Sequence, residues 1–275
     1  MCILQESGVG VGTDPEIFAI DKNGIYRSLI GKLGGTKANP KPTKHGFVQE
    51  DNVAGEFNIH PAFSEDEFVT NVLNVLGDIR EILTPMDLSI DITPIALFPA
   101  EELKHDLAQM AGCEPDYNGW DLVVNDSPDL SATQKRSGGG HLHISWDKVN
   151  SAPLHRPLLS CIMDITAGVA SVIMDPNTER RELYGKASCH RPKVRAAGDS
   201  YDGIEYRALS NFWLKSPSHI RWAYNTVRQA VSRFDEFSER IDSGDITGVE
   251  VSRIINNSDI KGAEKFCRKY DIAVG

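Results

Sequence analysis

Four short segments hold the residue types that chemistry needs. Gly12-Thr13-Asp14-Pro15-Glu16 offers two carboxylates two residues apart, and side chains at i and i+2 of a strand share a face. Gln49-Glu50-Asp51-Asn52-Val53-Ala54-Gly55-Glu56-Phe57-Asn58 is acidic inside a strand-like run. Gly138-Gly139-Gly140-His141-Leu142-His143-Ile144-Ser145 puts two imidazoles on one face after three glycines, a residue that lets a backbone or phosphate approach closely. Gly203-Ile204-Glu205-Tyr206-Arg207-Ala208-Leu209 pairs an acid and a base in the same way. Singly, each is commonplace: a D-x-E is a frequent solvated strand face, and an E-x-R a frequent intrastrand ion pair. Together they form a ligand set rich in carboxylates with imidazole in the minority, which selects hard divalent ions such as Mg²⁺ or Mn²⁺.

A basic stretch adds a second kind of chemistry. Arg180, Arg181, Lys186, Arg191, Lys193 and Arg195 put six cations within sixteen residues of an otherwise acidic chain. Such a run is either a solvated loop or a clamp on phosphoryl oxygens, where fixed guanidinium groups stabilise developing charge. Gly31-Lys32-Leu33-Gly34-Gly35-Thr36-Lys37 superficially resembles a phosphate loop but departs from G-x-x-x-x-G-K-[ST]. Cys113 or Cys189 is a candidate nucleophile beside a histidine.

The elements that must position these groups follow from patterning. Glu16 to Ile20 reads as a strand followed by an Asn23-Gly24 hairpin turn, and Phe47 to Ile59 as one longer strand interrupted at Gly55. Ser64 with Glu67 forms a capping box, and Phe68, Val72, Val75, Leu76, Ile79 and Leu83 keep helical spacing up to Pro85. Leu88 to Leu97 reads as a strand, Glu101 to Met110 as a short helix, and Gly112 to Gly140 as a long loop of the kind that is often functional. His141 to Trp146 reads as a strand, Leu158 to Met174 as an apolar helix, Glu179 to Ser200 as irregular, and Gly203 to Leu209 as a strand. Ser216 to Ile241 reads as one long helix, and a small helix near Asp259 to Tyr270 ends the chain. Without a regular βαβ beat, the expectation is α+β with a mainly antiparallel sheet.

Composition bounds the rest. The 275 residues, at about 150 per domain, admit one large α/β domain or nearly two. Residues 1–240 are expected to form a single catalytic domain, with 241–275 as a small appended C-terminal segment. The net charge of −10 argues against the basic footprint of non-specific nucleic-acid binding and leaves room for a local basic cleft. The apolar stretch from Ile165 to Met174 is short of roughly 20 spanning residues, and the N-terminus lacks the regions of a signal peptide. Five scattered cysteines without a C-x-x-C pair fit a reducing cytoplasm.

In chain order, GTDPE, EDNVAGEFN, RSGGGHLHIS, RRELYGKAS and GIEYRALSNFWL resemble the carboxylate–amine ligases of the glutamine synthetase and glutamate–cysteine ligase superfamily, and more narrowly the phage-associated COOH·NH2 ligase branch of the amidoligases. The resemblance covers about Gly12 to Leu214. It implies a curved antiparallel sheet backed by helices, with inward carboxylates binding Mg²⁺. It matches Asp14 and Glu16 to an acidic pair serving different metals, with Asp in place of the usual Glu at the first position. Glu56, His141 and Glu205 match further metal ligands, and Asp51 an additional acid upstream. His143 is implied to lie near nucleotide phosphates, with Arg136, Lys193 and Tyr184 also on the nucleotide side. Arg207 is implied to face the transferred phosphate, helped by Arg191 and by either Arg180 or Arg181.

The activity so implied is ATP-dependent joining of a small-molecule or peptide carboxylate to an amine, through an acyl phosphate, with Mg²⁺ or Mn²⁺ as cofactor and no nucleic-acid or membrane partner. The cytoplasm, a host's if the chain is phage-encoded, is the expected location. A metal-dependent hydrolase built on His141 and His143 is the alternative; it explains the acids and imidazoles but gives the arginine run no task. A non-catalytic module that keeps the fold is a third.

Overall fold

At Asp14-Pro15 the chain leaves one antiparallel sheet and enters another, and this crossing decides where the cleft lies. The computed structural model describes residues 8–109, 115–126 and 133–275. Thr13 is paired with Leu142 at the end of one ladder, and Glu16 with Glu56 at the start of the next. Pro15 has no N–H with which to carry a ladder across.

The first sheet runs in the order Gly10–Thr13, Leu142–Ser145, Gly203–Tyr206, Cys189–Lys193, Tyr117–Asn118, Val123–Val124, antiparallel throughout and open at both ends. The second is built from Tyr26–Arg27, Glu16–Asp21, Ala54–Asn58, Phe47–Asp51 and Lys41–Pro42, with Leu88–Asp91 also paired to Glu16–Asp21. Lys135–Ser137 and Ile95–Leu97 form a separate pair. The fold is therefore α+β, with antiparallel, unclosed sheets backed by helices. The antiparallel framework lies in two principal sheets rather than one.

Alternation along the central strands sorts core from cleft. Leu142, Ile144, Ile204 and Tyr206 are wholly buried in the main apolar cluster, so His141, His143, Glu205 and Arg207 project from the opposite face. Helix Glu65–Leu83 covers this core; Ser64 caps it by accepting from the Glu67 N–H, and Glu67 returns a bond to the Phe63 N–H. Helix Pro217–Ser232 packs beside it. Val251, Ile254, Phe266 and Tyr270, from the 241–275 segment, belong to the same cluster.

Several element boundaries differ from expectation for local reasons. The 47–59 run is a hairpin, Phe47–Asp51 and Ala54–Asn58, because Asn52 adopts the left-handed conformation (φ 58°). Thr93-Pro94 splits the 88–97 strand, and Arg233 separates helices Pro217–Ser232 and Phe234–Asp242. The apolar helix starts earlier than expected and continues through a π-turn at Asp164–Gly168. His155–Met174 is thus long and apolar enough to cross a membrane, but 78% of its most apolar window is buried inside the fold as a core helix. The 179–200 stretch contains helix Glu179–Leu183 and strand Cys189–Lys193. Residues 1–7, with Cys2, and 110–114, with Cys113, lie outside the described residues, as do 127–132 of the long loop.

Candidate metal centre

Strand register lines up the chemistry-bearing residues. In the first sheet His143 opposes Glu205, which opposes Arg191; on the same face His141 and Arg207 lie two residues toward one end of the ladders, and Lys193, which opposes Gly203, two residues toward the other. In the second sheet Glu16 opposes Glu56, which opposes Gln49. Asp14, in the crossing between sheets, joins the two rows. They enclose a cleft of about 640 Å³ lined by Asp14, Glu16, Asp51, Glu56, His141, His143, Arg191, Lys193, Glu205 and Arg207, together with Lys37, Phe47, Gln49 and others.

Two groups of potential ligand atoms converge there, each within 4.8 Å: Asp14, His143 and Glu205, and Glu16, Asp51 and Glu56. The imidazole in the first group is that of His143, which the resemblance puts near the nucleotide phosphates. His141 stands beside the group, its Nδ1 3.3 Å from Asp14 Oδ1 and 3.8 Å from Glu205 Oε1. Asp14 Oδ1 lies 2.9 Å from His143 Nε2, yet Asp14 Oδ1, His143 Nε2 and His141 Nε2 are buried without an aligned hydrogen-bond partner. Buried polar atoms left unsatisfied call for an ion or water, and oxygens with imidazole nitrogens suit a divalent cation. The residues fit a metal.

The second group is more fully engaged. Glu56 Oε1 accepts from Gln49 Nε2 at 2.6 Å, Glu16 Oε2 accepts from the Gly139 N–H at 2.7 Å, and Asp51 Oδ2 meets Lys37 Nζ at 2.9 Å.

Charge is divided unevenly between the groups. Glu205, 1% exposed, receives Arg207 Nη1 on Oε1, with Arg191 Nη1 3.4 Å away and Lys193 Nζ 3.1 Å from Oε2. Burial opposes ionisation of Glu205, but Arg207 overrides it and holds the carboxyl well down. Burial also works against Asp14, which His143 and then His141 keep below the usual carboxylate range. Glu56 goes the other way: burial, then the neighbouring charge of Asp14, push it well up against the pull of Lys37.

Arg207 is held from behind. Its Nε donates to Tyr184 Oη at 3.0 Å and to Asp116 Oδ2 at 3.3 Å, Nη2 donates to the same hydroxyl, and Tyr184 donates to Asp116 at 2.8 Å. Tyr184 thus braces Arg207 without lining the cleft. Arg136, Arg180 and Arg181 do not line it either. Arg136 donates to the carbonyls of Thr133, Lys135 and Ala108; Arg180 to those of Ala208 and Arg207; Arg181 to Asn177 O and Ser258 Oγ. These buried guanidiniums satisfy backbone carbonyls. Cys189 is buried, and burial followed by Asp116 pushes its thiol up, the reverse of an activated nucleophile.

Lys37, Gln49 and Asp116 were not singled out from sequence. Gln49 had a signal, since it shares a strand face with Asp51; Asp116 is one acid within a long loop, with none. The three glycines serve packing more than ligand approach: a Cβ on Gly140 would lie 2.2 Å from Ser210 O and 2.4 Å from Trp213 Nε1.

No protein-family model matches the chain, and no curated protein matches it. Among solved structures, it is similar to one described as a novel glutamine synthase homolog, at a TM-score of 0.40 and 14% identity over 83% of this chain. The chain spans 56% of the length of that protein.

Proposed function

We propose that the cleft is the active site of an ATP-dependent carboxylate–amine ligase. One observation supports this above others: two ligand groups, Asp14–His143–Glu205 and Glu16–Asp51–Glu56, share a single cleft with Arg191, Lys193 and Arg207. A carboxylate is a poor acyl donor because its leaving group would be oxide. Transfer of the γ-phosphoryl group to it gives an acyl phosphate, and attack by an amine then forms the amide and releases orthophosphate.

In this reading the protein positions reactants and balances charge, as phosphoryl transfer requires. A divalent ion, when bound, supplies Lewis-acid neutralisation of the phosphate oxygens. Arg191 and Lys193, on one strand and one face, attract the polyphosphate. Arg207, braced by Tyr184 and Asp116, holds a fixed guanidinium at the cleft wall, so its orientation needs little reorganisation as charge develops.

The test is a panel of carboxylic acids and amines with Mg²⁺-ATP, read by ADP release and by mass spectrometry of the conjugate. The expected result is ADP and orthophosphate formed in step with an amide. Hydrolysis of a panel member without nucleotide would replace the ligase by a metal hydrolase. Absence of any nucleotide binding in a Mg²⁺-ATP thermal-shift measurement would overturn it in favour of a non-catalytic module.

A further inference from the structure

Lys37 stands inside the second acidic group. Its Nζ lies 2.9 Å from Asp51 Oδ2 and 3.9 Å from Glu56 Oε2, and it lines the cleft with both. The segment that carries it is built to hold it there. Gly34 and Gly35 have φ of 75° and 82°, and a Cβ on Gly35 would fall 2.5 Å from Val48 O and 2.6 Å from the Lys41 nitrogen, so the loop lies directly on the neighbouring strand. The N–H groups of Gly31 and Gly34 donate to Glu50 Oε2 and Oε1, each at 2.7 Å. Thr36 and Asn39 exchange backbone hydrogen bonds of 3.1 and 3.0 Å, which sets Lys37 at the tip of a tight turn. The Gly31 and Gly34 amides are thus engaged by the protein's own carboxylate. What the loop presents to the cleft is an ammonium.

An ammonium and a divalent ion are alternatives for the same oxygens. Every carboxylate of the second group already has a protein partner: Glu16 the Gly139 N–H, Glu56 Gln49, and Asp51 Lys37. In the first group the cations gather on Glu205, while Asp14 Oδ1 and His143 Nε2 lack aligned partners. We infer that Lys37 is a tethered counter-cation of the Glu16–Asp51–Glu56 group, so that this group takes a divalent ion only as the Lys37 ammonium is displaced. The inference rests on the metal-binding part of the proposed function and assigns what an ion must displace at one of the two groups.

The experiment is a Mn²⁺ titration of the full chain, followed by electron paramagnetic resonance of free Mn²⁺, without nucleotide or substrate. Wild type is expected to bind Mn²⁺ at Glu16–Asp51–Glu56 more weakly than the Lys37→Met variant does. Lys37→Met should tighten the ion at Glu16–Asp51–Glu56 at least tenfold and leave the ion at the other group unchanged, whereas Lys37→Arg, which keeps a cation, should behave as wild type. Lys37 sits at a turn and its side chain is 44% exposed, so both variants are expected to fold. Ion affinities in Lys37→Met equal to those of wild type, or an equal gain in Lys37→Arg, would overturn the inference. No Mn²⁺ bound by either protein would overturn it together with the metal reading. A ligase assay that fails while Lys37→Met gains its Mn²⁺ affinity would leave the inference standing and remove the proposed activity alone.

Discussion

The Asp14–His143–Glu205 and Glu16–Asp51–Glu56 groups lie in one cleft, yet their negative charge is balanced in different ways. Glu205 sits mid-sheet, with His143 and Arg191 on its two neighbouring strands and Arg207 two residues along its own chain. Its counter-charges are therefore fixed by the same ladders that build the core. Asp51 ends a hairpin strand, and its partner Lys37 arrives on a loop. Charge pairing written into strand register is part of the fold; charge pairing delivered by a loop can be exchanged for a ligand.

That contrast predicts unequal responses to the same isosteric change. Glu205→Gln leaves Arg207, Arg191 and Lys193 facing a neutral group in a buried position, where removing one partner of an ion pair costs about 3–5 kcal/mol. With three cations affected, the upper end is expected, or roughly 10–20 °C in Tm. Glu56→Gln should stay within about 1 kcal/mol, because burial and Asp14 already disfavour its charged form and Gln49 can still find a partner. Thermal unfolding of both variants without metal is the check. Equal losses would mean that the second group is as structural as the first.

The first group also rests on a buried acid in the helix layer. Tyr206, next to Glu205 but on the opposite face, donates to Asp164 Oδ1, which also accepts from the Ser188 N–H; Trp120 Nε1 donates to Oδ2. Burial pushes the Asp164 carboxyl up from its ordinary 3.8 to about 7, against the pull of these donors. Between those two values the folded chain holds a proton that the unfolded chain has lost, so raising the pH favours unfolding. At 1.36 kcal/mol per unit, the loss between pH 4 and 7 is on the order of 4 kcal/mol, and it levels off above pH 7. The advantage of wild type over Asp164→Asn, measured by urea unfolding, should therefore shrink as pH rises from 4 to 7. An advantage that grows over that range would mean that the donors, not burial, govern this acid.

The strands that carry the first group were largely legible in the sequence. Alternation in His141-Leu142-His143-Ile144 and in Ile204-Glu205-Tyr206-Arg207 states which side chains face the core, and neither run contains a breaker. The strand holding Arg191 and Lys193 was hidden by Pro192, which argues against a central strand. The sheet tolerates it because the next strand, Tyr117–Asn118, pairs only with Cys189 and His190 and ends before Pro192 is reached. Arg180 and Arg181 drew attention as charges in a basic run, but sequence holds no record of which guanidiniums turn inward to carbonyls. Lys37 was missed for a related reason: the glycines around it resemble a phosphate loop, and only the structure pairs their amides with Glu50.

The smallest effect tests whether that loop is a positioning device. Glu50 accepts from Gly31 on one oxygen and from Gly34 on the other, which a carboxylate can do and a carboxamide cannot. Glu50→Gln keeps one acceptor and sets its NH2 group against the second N–H. One hydrogen bond lost in this half-exposed setting is worth about 1 kcal/mol. Glu50 faces away from the Asp51 side chain, as consecutive strand residues do, so the substitution leaves the three carboxylates in place. If the loop does no more than cover the strand, the variant loses that increment of stability and binds Mn²⁺ as wild type does. If it holds Lys37 over Asp51, loosening its base weakens the ammonium as a competitor, and the Mn²⁺ at Glu16–Asp51–Glu56 tightens severalfold, less than in Lys37→Met. The same titration and a urea melt separate the two, because the first measures where Lys37 spends its time and the second only what the loop contributes to the fold.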